Sequence, residues 1–169
     1  MAATTSRSKE IIHCDPDKCN GCEVCEYVCS WYHGGEINWK RSRIRAVKIE
    51  PIYSIAITCR KCDEPVCKSA CPRDAISQNA AGVIHIDKDK CNGCGWCVEA
   101  CEFGVMKLQQ DTRLAFCCDY CEDLDGLKCV ELCPKEALSY ASLDSVGFSS
   151  AVEAAASLIA DSKVSAGGK

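Results

Sequence analysis

Short segments that alternate apolar and polar residues are the clearest structural pattern along this chain. The segments RIRAVKIE (Arg43–Glu50) and YSIAIT (Tyr53–Thr58) are rich in β-branched residues and predict two short strands. Pro51, which lies between them, suits a turn or the edge of a sheet. The alternating segment GVIHID (Gly82–Asp87) predicts another short strand. The regular structure predicted from the pattern is therefore sparse.

Three cysteine-containing segments predict single helical turns. They are KSACPRDAI (Lys68–Ile76), VEACEFGVM (Val98–Met106) and VELCPKEAL (Val130–Leu138). We expect each turn to carry the cysteine that lies within it.

The composition changes after Tyr140, where the cysteines stop and alanine and serine become frequent. Ser150 and Glu153 have the spacing of a capping box, which predicts the start of a helix. That helix either packs on its own domain or docks against a partner subunit. Its apolar stripe would consist of Phe148, Val152, Ala155, Ala156 and Ile159.

Cysteine dominates the composition, with 18 of the 169 residues. In a short secreted chain such a fraction would indicate a disulfide framework. The opening MAATTSRSKEIIHC has no apolar signal-peptide core, and no apolar run approaches the roughly 18 residues of a membrane span. We therefore expect a cytoplasmic protein without a membrane span, in which thiols stay reduced and cysteine clusters hold metal. The net charge of −4 and the pI near 5.4 argue against a nucleic-acid partner.

Sixteen of the cysteines form four groups of four. Groups one and three share the compact spacing C-x2-C-x2-C-x3-C, whereas groups two and four have a wider gap before the third cysteine and end in Cys-Pro. This alternation predicts two copies of a two-group module. In chain order the groups are Cys19, Cys22, Cys25 and Cys29; Cys59, Cys62, Cys67 and Cys71; Cys91, Cys94, Cys97 and Cys101; and Cys118, Cys121, Cys129 and Cys133.

The compact spacing favours iron–sulfur clusters over other uses of cysteine. Three closely spaced sulfurs can converge on one small object if the backbone loops around it, and Gly21 and Gly93 permit such curvature. The fourth cysteine of the run points away from the loop, and in two-cluster ferredoxins it ligates the other cluster. Zinc sites, the main alternative, use two cysteine pairs with a spacer. A disulfide framework gives each sulfur only one partner, so it fits least.

Several other features remain open from the sequence. Cys14 and Cys117 lie outside the groups and are expected to be small buried residues, although Cys117 would replace Cys118 if the loop register differed. His33 is not expected to bind iron, because sixteen cysteines already satisfy four clusters. The segment WKRSRIR (Trp39–Arg45) concentrates four positive charges and is either a solvated strand face or a docking patch.

With these four groups, the chain resembles the four-cluster ferredoxin-like electron-transfer subunits of multisubunit oxidoreductases. The stretches CRKCDEPVCKSACPRDAI, GVIHIDKDKCNGCGWCVEACEFGV and CVELCPKEAL carry the resemblance, which covers roughly residues 13–140. It implies an α+β fold over residues 11–140, built from two nested bacterial-ferredoxin-like modules with short strands and single-turn helices. Groups one and four would form the outer module, and groups two and three the inner module. Residues 141–169 would form the C-terminal helix and tail.

The resemblance also implies how four [4Fe–4S] clusters share the cysteines. Group one pairs with group four and group two with group three, and the partners exchange ligands. The gap between Cys121 and Cys129 is shorter than is usual in this family. The implied sets are Cys19, Cys22, Cys25 and Cys133 for cluster 1; Cys29, Cys118, Cys121 and Cys129 for cluster 2; Cys59, Cys62, Cys67 and Cys101 for cluster 3; and Cys71, Cys91, Cys94 and Cys97 for cluster 4.

The function implied by the resemblance is electron relay rather than catalysis. The chain looks most like the small iron–sulfur subunit of tungsten-dependent aldehyde oxidoreductases, which implies a large catalytic partner with a tungsten or molybdenum pterin. A flavin subunit or a ferredoxin would be the second electron partner, and the cluster-bearing faces or the C-terminal helix could mediate self-association. The alternatives within the class are carbon monoxide dehydrogenase and hydrogenase subunits. An iron–sulfur redox sensor and a zinc-organised scaffold are the alternatives outside it.

Overall fold

The strands of this protein pair two by two in a computed structural model, and each pair is antiparallel. The structure describes residues 9–49, 53–142, 144–148, 151–152 and 155–156. In chain order, the strands in these ranges are β1 (Glu10–Cys14), β2 (Arg45–Ile49), β3 (Tyr53–Ile57), β4 (Ile76–Gln78), β5 (Ile84–Ile86), β6 (Lys107–Leu108), β7 (Ala115–Phe116) and β8 (Leu138–Ser142). The pairs are β1 with β8, β2 with β3, β4 with β5, and β6 with β7.

The three strands predicted from the alternating pattern are confirmed. They are β2, β3 and β5, each slightly shorter than the segment that predicted it. The other five strands carry no comparable pattern. The Asn79 side chain closes the hairpin between β4 and β5 by accepting hydrogen bonds from the amides of Ala81 and Val83, at 3.0 and 2.9 Å.

Helical structure in the described residues is concentrated near the cysteines. Within the described residues up to 142, the helices are α1 (Val24–Gly34), α2 (Val66–Ser69), α3 (Trp96–Glu99) and α4 (Lys128–Glu131), with one 3₁₀ turn at Trp39–Arg41. Helix α1 follows Glu23, whose φ of 64° is left-handed, and ends at Gly35, whose amide donates to the Trp31 carbonyl at 2.7 Å. Because α1 packs on α4 and α2 on α3, cysteines from distant segments are brought side by side.

The predicted extent of the single helical turns is wrong in part. In each of these groups the helical turn ends before the last cysteine. Helices α2, α3 and α4 therefore carry the third cysteine of their groups, which is Cys67, Cys97 and Cys129, respectively. Proline disfavours helical backbone at the residue before it, and Pro72 and Pro134 directly follow the last cysteines of groups two and four. Helices α2 and α4 therefore end before Cys71 and Cys133, and these two cysteines can face a different direction.

The described part of the C-terminal segment leaves two large apolar side chains exposed. Residues 144–148, 151–152 and 155–156 are helical, and the side chains of Phe148 and Val152 are 73% and 51% exposed. The predicted capping residues Ser150 and Glu153, and Ile159 of the stripe, lie outside the described residues. Across the described ranges, no helix has the length and apolar character needed to cross a membrane.

The core is built around the pairing of β1 with β8, which joins the two ends of the predicted domain. In this ladder Ile12 lies opposite Tyr140, and Cys14 lies opposite Leu138. The buried apolar residues are few, and cysteines contribute much of the same cluster. The limits of the domain at residues 11 and 140, and its division into an outer and an inner module, stay predictions.

Gly93→Ala is expected to destabilise the protein more than Gly104→Ala. Both glycines have left-handed φ angles, +69° and +60°, so either alanine adds strain of roughly 1–2 kcal/mol. A Cβ at Gly93 would also collide with the backbone carbonyl of Arg113, whereas a Cβ at Gly104 would meet nothing within 4 Å. Thermal unfolding of both variants, kept free of oxygen, measures the difference. Equal losses of stability would contradict the proposed close approach.

Candidate metal centres

Four cysteines from opposite ends of the chain line one cavity. Cys19, Cys22 and Cys25 come from the loop before α1 and from its first turn, and Cys133 follows α4. The cavity is otherwise lined largely by apolar atoms of residues such as Ala56 and Leu138. The Asp15 amide donates to the Ala137 carbonyl at 2.8 Å, which holds the two chain segments together beside this cavity.

A second cavity has the same construction in the middle of the chain. Its apolar wall includes Ile76, Leu108 and Ala115. Gly93 and Gly95, both left-handed, let the backbone curl closely around it. Its cysteines are Cys71, Cys91, Cys94 and Cys97.

A third group of thiols is identified by the effect that its members have on one another's pKa values. Burial raises the pKa of the Cys67 thiol to about 11, and negative charge on Cys59 and Cys101 contributes further. Cys62 belongs to the same group, since its pKa is raised by burial and then by charge on Cys59 and Cys101. These thiols are therefore close enough to act on one another.

The last group surrounds the side of α1 that faces α4. Burial raises the pKa of Cys129, and the next contributions come from Cys118, Cys29 and Cys121. Burial also raises the pKa of Cys118 to about 12, with further contributions from Cys29 and Cys121. Two of the sets named from the sequence thus line one cavity each, and the thiols of the other two sets act electrostatically on one another.

Each set adjoins the next. Cys25 and Cys29 lie one turn apart on α1. Cys25 belongs to the set with Cys133, and Cys29 belongs to the set with Cys118. Cys59 acts electrostatically on Cys118, which joins two further sets. Cys67 on α2 belongs to the set with Cys59, and the nearby Cys71 belongs to the set with Cys91, so these two sets also adjoin. Cys22 and Cys94, which are exposed, belong to the two sets at the ends of this succession.

The donor sets fit [4Fe–4S] clusters. Thiolate sulfurs in fours are the usual ligands of such clusters, and each must lose its proton when iron binds. Within the described part of the chain, no group of three or more His, Cys, Asp or Glu side chains has a geometry that could hold a single metal ion. The two lined cavities instead place four sulfurs around a space, which suits a larger group.

Backbone amides also point at the sulfurs. The Arg43 amide donates to Cys29 Sγ at 3.2 Å, and the Ala75 amide donates to Cys71 Sγ at 3.4 Å. Hydrogen bonds of this kind are one of the means by which a protein sets cluster potentials.

Cys14 and Cys117 are buried, as predicted, with exposures of 4% and 5%. The thiol of Cys117 hydrogen-bonds to Cys59, lowering the pKa of Cys59 to about 6 and raising that of Cys117. Cys14 Sγ accepts a hydrogen bond from the Ala56 amide at 3.2 Å. Cys118, rather than Cys117, shares surroundings with Cys29 and the other thiols near α4.

Asp119 organises the loop between Cys118 and Cys121, and its role could not be recognised from spacing. Its carboxylate pairs with Arg43, accepts from the Cys121 amide at 3.2 Å and lies 3.5 Å from His33 Nε2. His33 Nε2 is also 3.8 Å from Cys121 Sγ, and burial is the main cause that lowers its pKa to about 4.

Two of the four positive charges in the segment Trp39–Arg45 pair with nearby carboxylates. Arg43 pairs with Asp119, and Arg41 pairs with Glu36 at 3.0 Å and with Asp111. Half of the charge of the segment is therefore engaged within the chain.

Comparison with known proteins places these cysteines in a family. The family model described as "4Fe-4S dicluster domain" matches residues 51–143. The polyferredoxin-like subunit of an aliphatic sulfonate oxidoreductase from Pyrococcus furiosus is 38% identical over 119 residues, which cover 70% of this chain and 68% of that protein. The thiosulfate reductase electron transfer subunit PhsB of Salmonella typhi is 29% identical, with 77% and 74% covered. A subunit of the anaerobic dimethyl sulfoxide reductase of Escherichia coli K12 is 30% identical, with 77% and 72% covered. Cysteine sets of this kind and a matched region longer than half of the chain show that this protein belongs to the 4Fe–4S dicluster domain family.

Proposed function

We propose that this chain is a non-catalytic electron-transfer subunit of an oxidoreductase complex and carries four [4Fe–4S] clusters. The observation that carries the proposal is that eight cysteines, from segments up to 114 residues apart, line two cavities in sets of four, while another eight act electrostatically on one another. The names of the relatives, which include an electron transfer subunit and a polyferredoxin-like subunit, support the same role.

The proposed ligands follow the four sets. Cluster 1 takes Cys19, Cys22, Cys25 and Cys133; cluster 2 takes Cys29, Cys118, Cys121 and Cys129; cluster 3 takes Cys59, Cys62, Cys67 and Cys101; and cluster 4 takes Cys71, Cys91, Cys94 and Cys97. When bound, such a cluster supplies reversible electron uptake, at potentials between roughly −700 and +450 mV. The thiolates fix each position, the apolar cavity walls exclude water, and the amides aimed at Cys29 and Cys71 stabilise negative charge on sulfur.

The succession of adjoining sets supports a directional relay through the chain. Cys22 and Cys94 are exposed and belong to the sets at opposite ends. Electrons would therefore enter beside one of them from a catalytic subunit and leave beside the other. The interior sets, with the buried Cys29, Cys59, Cys118 and Cys129, have less access to solvent and partners.

The catalytic partner is proposed to be a large subunit with a tungsten or molybdenum pterin, such as an aldehyde oxidoreductase. A flavin subunit or a ferredoxin would serve the other end of the relay, in the cytoplasm. The relatives also include subunits named for aliphatic sulfonate, thiosulfate and dimethyl sulfoxide reactions, so the substrate class depends on the partner rather than on this chain.

Purification without oxygen should yield a brown protein with about 16 iron atoms and as many sulfide ions per chain, because four cubane clusters each hold four of both. Iron and sulfide assays, together with the visible spectrum, measure this. A colourless protein containing about four zinc ions would contradict the proposal and favour a zinc-organised scaffold.

Cys133→Ala and Cys19→Ala should damage the same cluster, because both side chains line one cavity although 114 residues separate them in the sequence. We expect electron paramagnetic resonance spectra of the two reduced variants to lose the same signal. Cys117→Ala is the matched control: it removes a buried thiol outside the proposed sets, beside Cys59 rather than Cys19, and should retain the signal that the other two variants lose. Loss of different signals in Cys133→Ala and Cys19→Ala would disprove the shared set.

A further inference from the structure

A lysine side chain is buried within one of the cysteine loops. Lys61 lies between Cys59 and Cys62, and it is only 3% exposed. Its backbone has a left-handed φ of 50°, which directs the chain sharply at this point. Transferring an ammonium group from water to the interior is costly unless other groups compensate.

Two tyrosines provide that compensation. The Nζ atom of Lys61 lies 3.7 Å from the ring centroid of Tyr120 and 5.1 Å from that of Tyr140. It also donates a hydrogen bond to the Tyr140 hydroxyl at 3.0 Å. Across the described ranges, no carboxylate lies within ion-pair distance of Lys61. The aromatic faces stabilise the cation without cancelling its charge.

Tyr120 occupies the corresponding position of another cysteine loop. Cys59-Arg-Lys-Cys62 and Cys118-Asp-Tyr-Cys121 have the same spacing, so Lys61 and Tyr120 are equivalent, and the φ of Tyr120 is also left-handed at 57°. The Tyr120 hydroxyl donates to the Cys59 carbonyl. The two loops therefore interlock, with the ammonium group of Lys61 at their junction.

Lys61 lies two residues after Cys59 and immediately before Cys62, so its charge belongs to the loop that carries these two sulfurs. Asp63, the residue after Cys62, pairs with Lys9 at 2.6 Å and is 92% exposed.

We propose that Lys61 is a positioning residue that raises the reduction potential of cluster 3, the cluster assigned to Cys59, Cys62, Cys67 and Cys101. The inference rests on the proposed function. Reduction adds one negative charge to the cluster, and a fixed cation in a poorly solvated site stabilises that charge more than an exposed one does. Lys61 thereby favours the passage of electrons across the junction between the two loops.

The test is an anaerobic potentiometric titration of the iron-loaded chain, followed by electron paramagnetic resonance. Lys61→Met keeps the length and apolar stem of the side chain but removes the charge. The midpoint potential of one cluster should shift to more negative values, and Cys62→Ser identifies the signal of that cluster by altering it. Lys61→Arg keeps the charge and should retain a midpoint close to that of the unaltered protein.

Lys9→Met is the matched control. Lys9 lies in the same neighbourhood and its Nζ donates to the Lys61 carbonyl at 3.3 Å, but its charge is paired with Asp63 and its side chain is 31% exposed. It should leave the potential unchanged. An unshifted midpoint in iron-loaded Lys61→Met, or an equal shift in Lys9→Met, would overturn the inference.

If Lys61→Met folds poorly, a second variant, Lys61→Gln, can be measured in the same titration. Lys61→Gln keeps a polar group that can bond to the Tyr140 hydroxyl, lacks the charge, and should show the same negative shift. An unaltered chain that binds no iron would overturn the proposed function itself. Full iron content with an unshifted midpoint in Lys61→Gln would overturn only the role of Lys61.

Discussion

Crowding of sulfur is the constraint on which the structure depends. Buried thiols that surround a common space resist ionisation, because burial and the charge of their neighbours both disfavour the thiolates, as the pKa of about 12 for Cys25 and Cys118 indicates. A positively charged iron–sulfur core at the centre of a set would reverse this balance, since it would stabilise several thiolates at once. Metal binding would thus be coupled to the stability of the fold, and the small aliphatic core would need to supply correspondingly less.

The remainder of the fold can be understood as a means of bringing cysteines together. Two-residue and three-residue strands such as β6 and β4 contribute little surface of their own, and their ladders mainly position loops. The helices place one cysteine of a set on a turn while the next residues lead the chain to a neighbouring set. Buried polar groups help to hold these elements in place. The Glu26 carboxylate, for example, accepts the Ala46 amide at 2.6 Å and links α1 to β2.

The sequence predicts the chemistry of this protein better than its shape. Cysteine spacing is a local property, and it identified the four groups, whereas the exchange of ligands between groups followed from the family resemblance. Strands β2, β3 and β5 were likewise recognisable because each alternates within itself. Strands β1 and β8 were not, because Glu10–Cys14 becomes a strand only by pairing with a segment more than a hundred residues later. Lys61 and Asp119 escaped notice for a similar reason, since their neighbours come from other loops.

The lining of the first cavity has a consequence for the order of events during synthesis. Cys19, Cys22 and Cys25 leave the ribosome early, but the wall they share with Cys133 cannot close until the chain is almost complete. The cavity formed by Cys71, Cys91, Cys94 and Cys97 needs no residue beyond Ala115. Chains are made from the N-terminus at roughly 5–20 residues per second, so the earliest cysteines wait several seconds with an incomplete site. The oldest part of the nascent protein therefore belongs to the cavity whose lining is completed last.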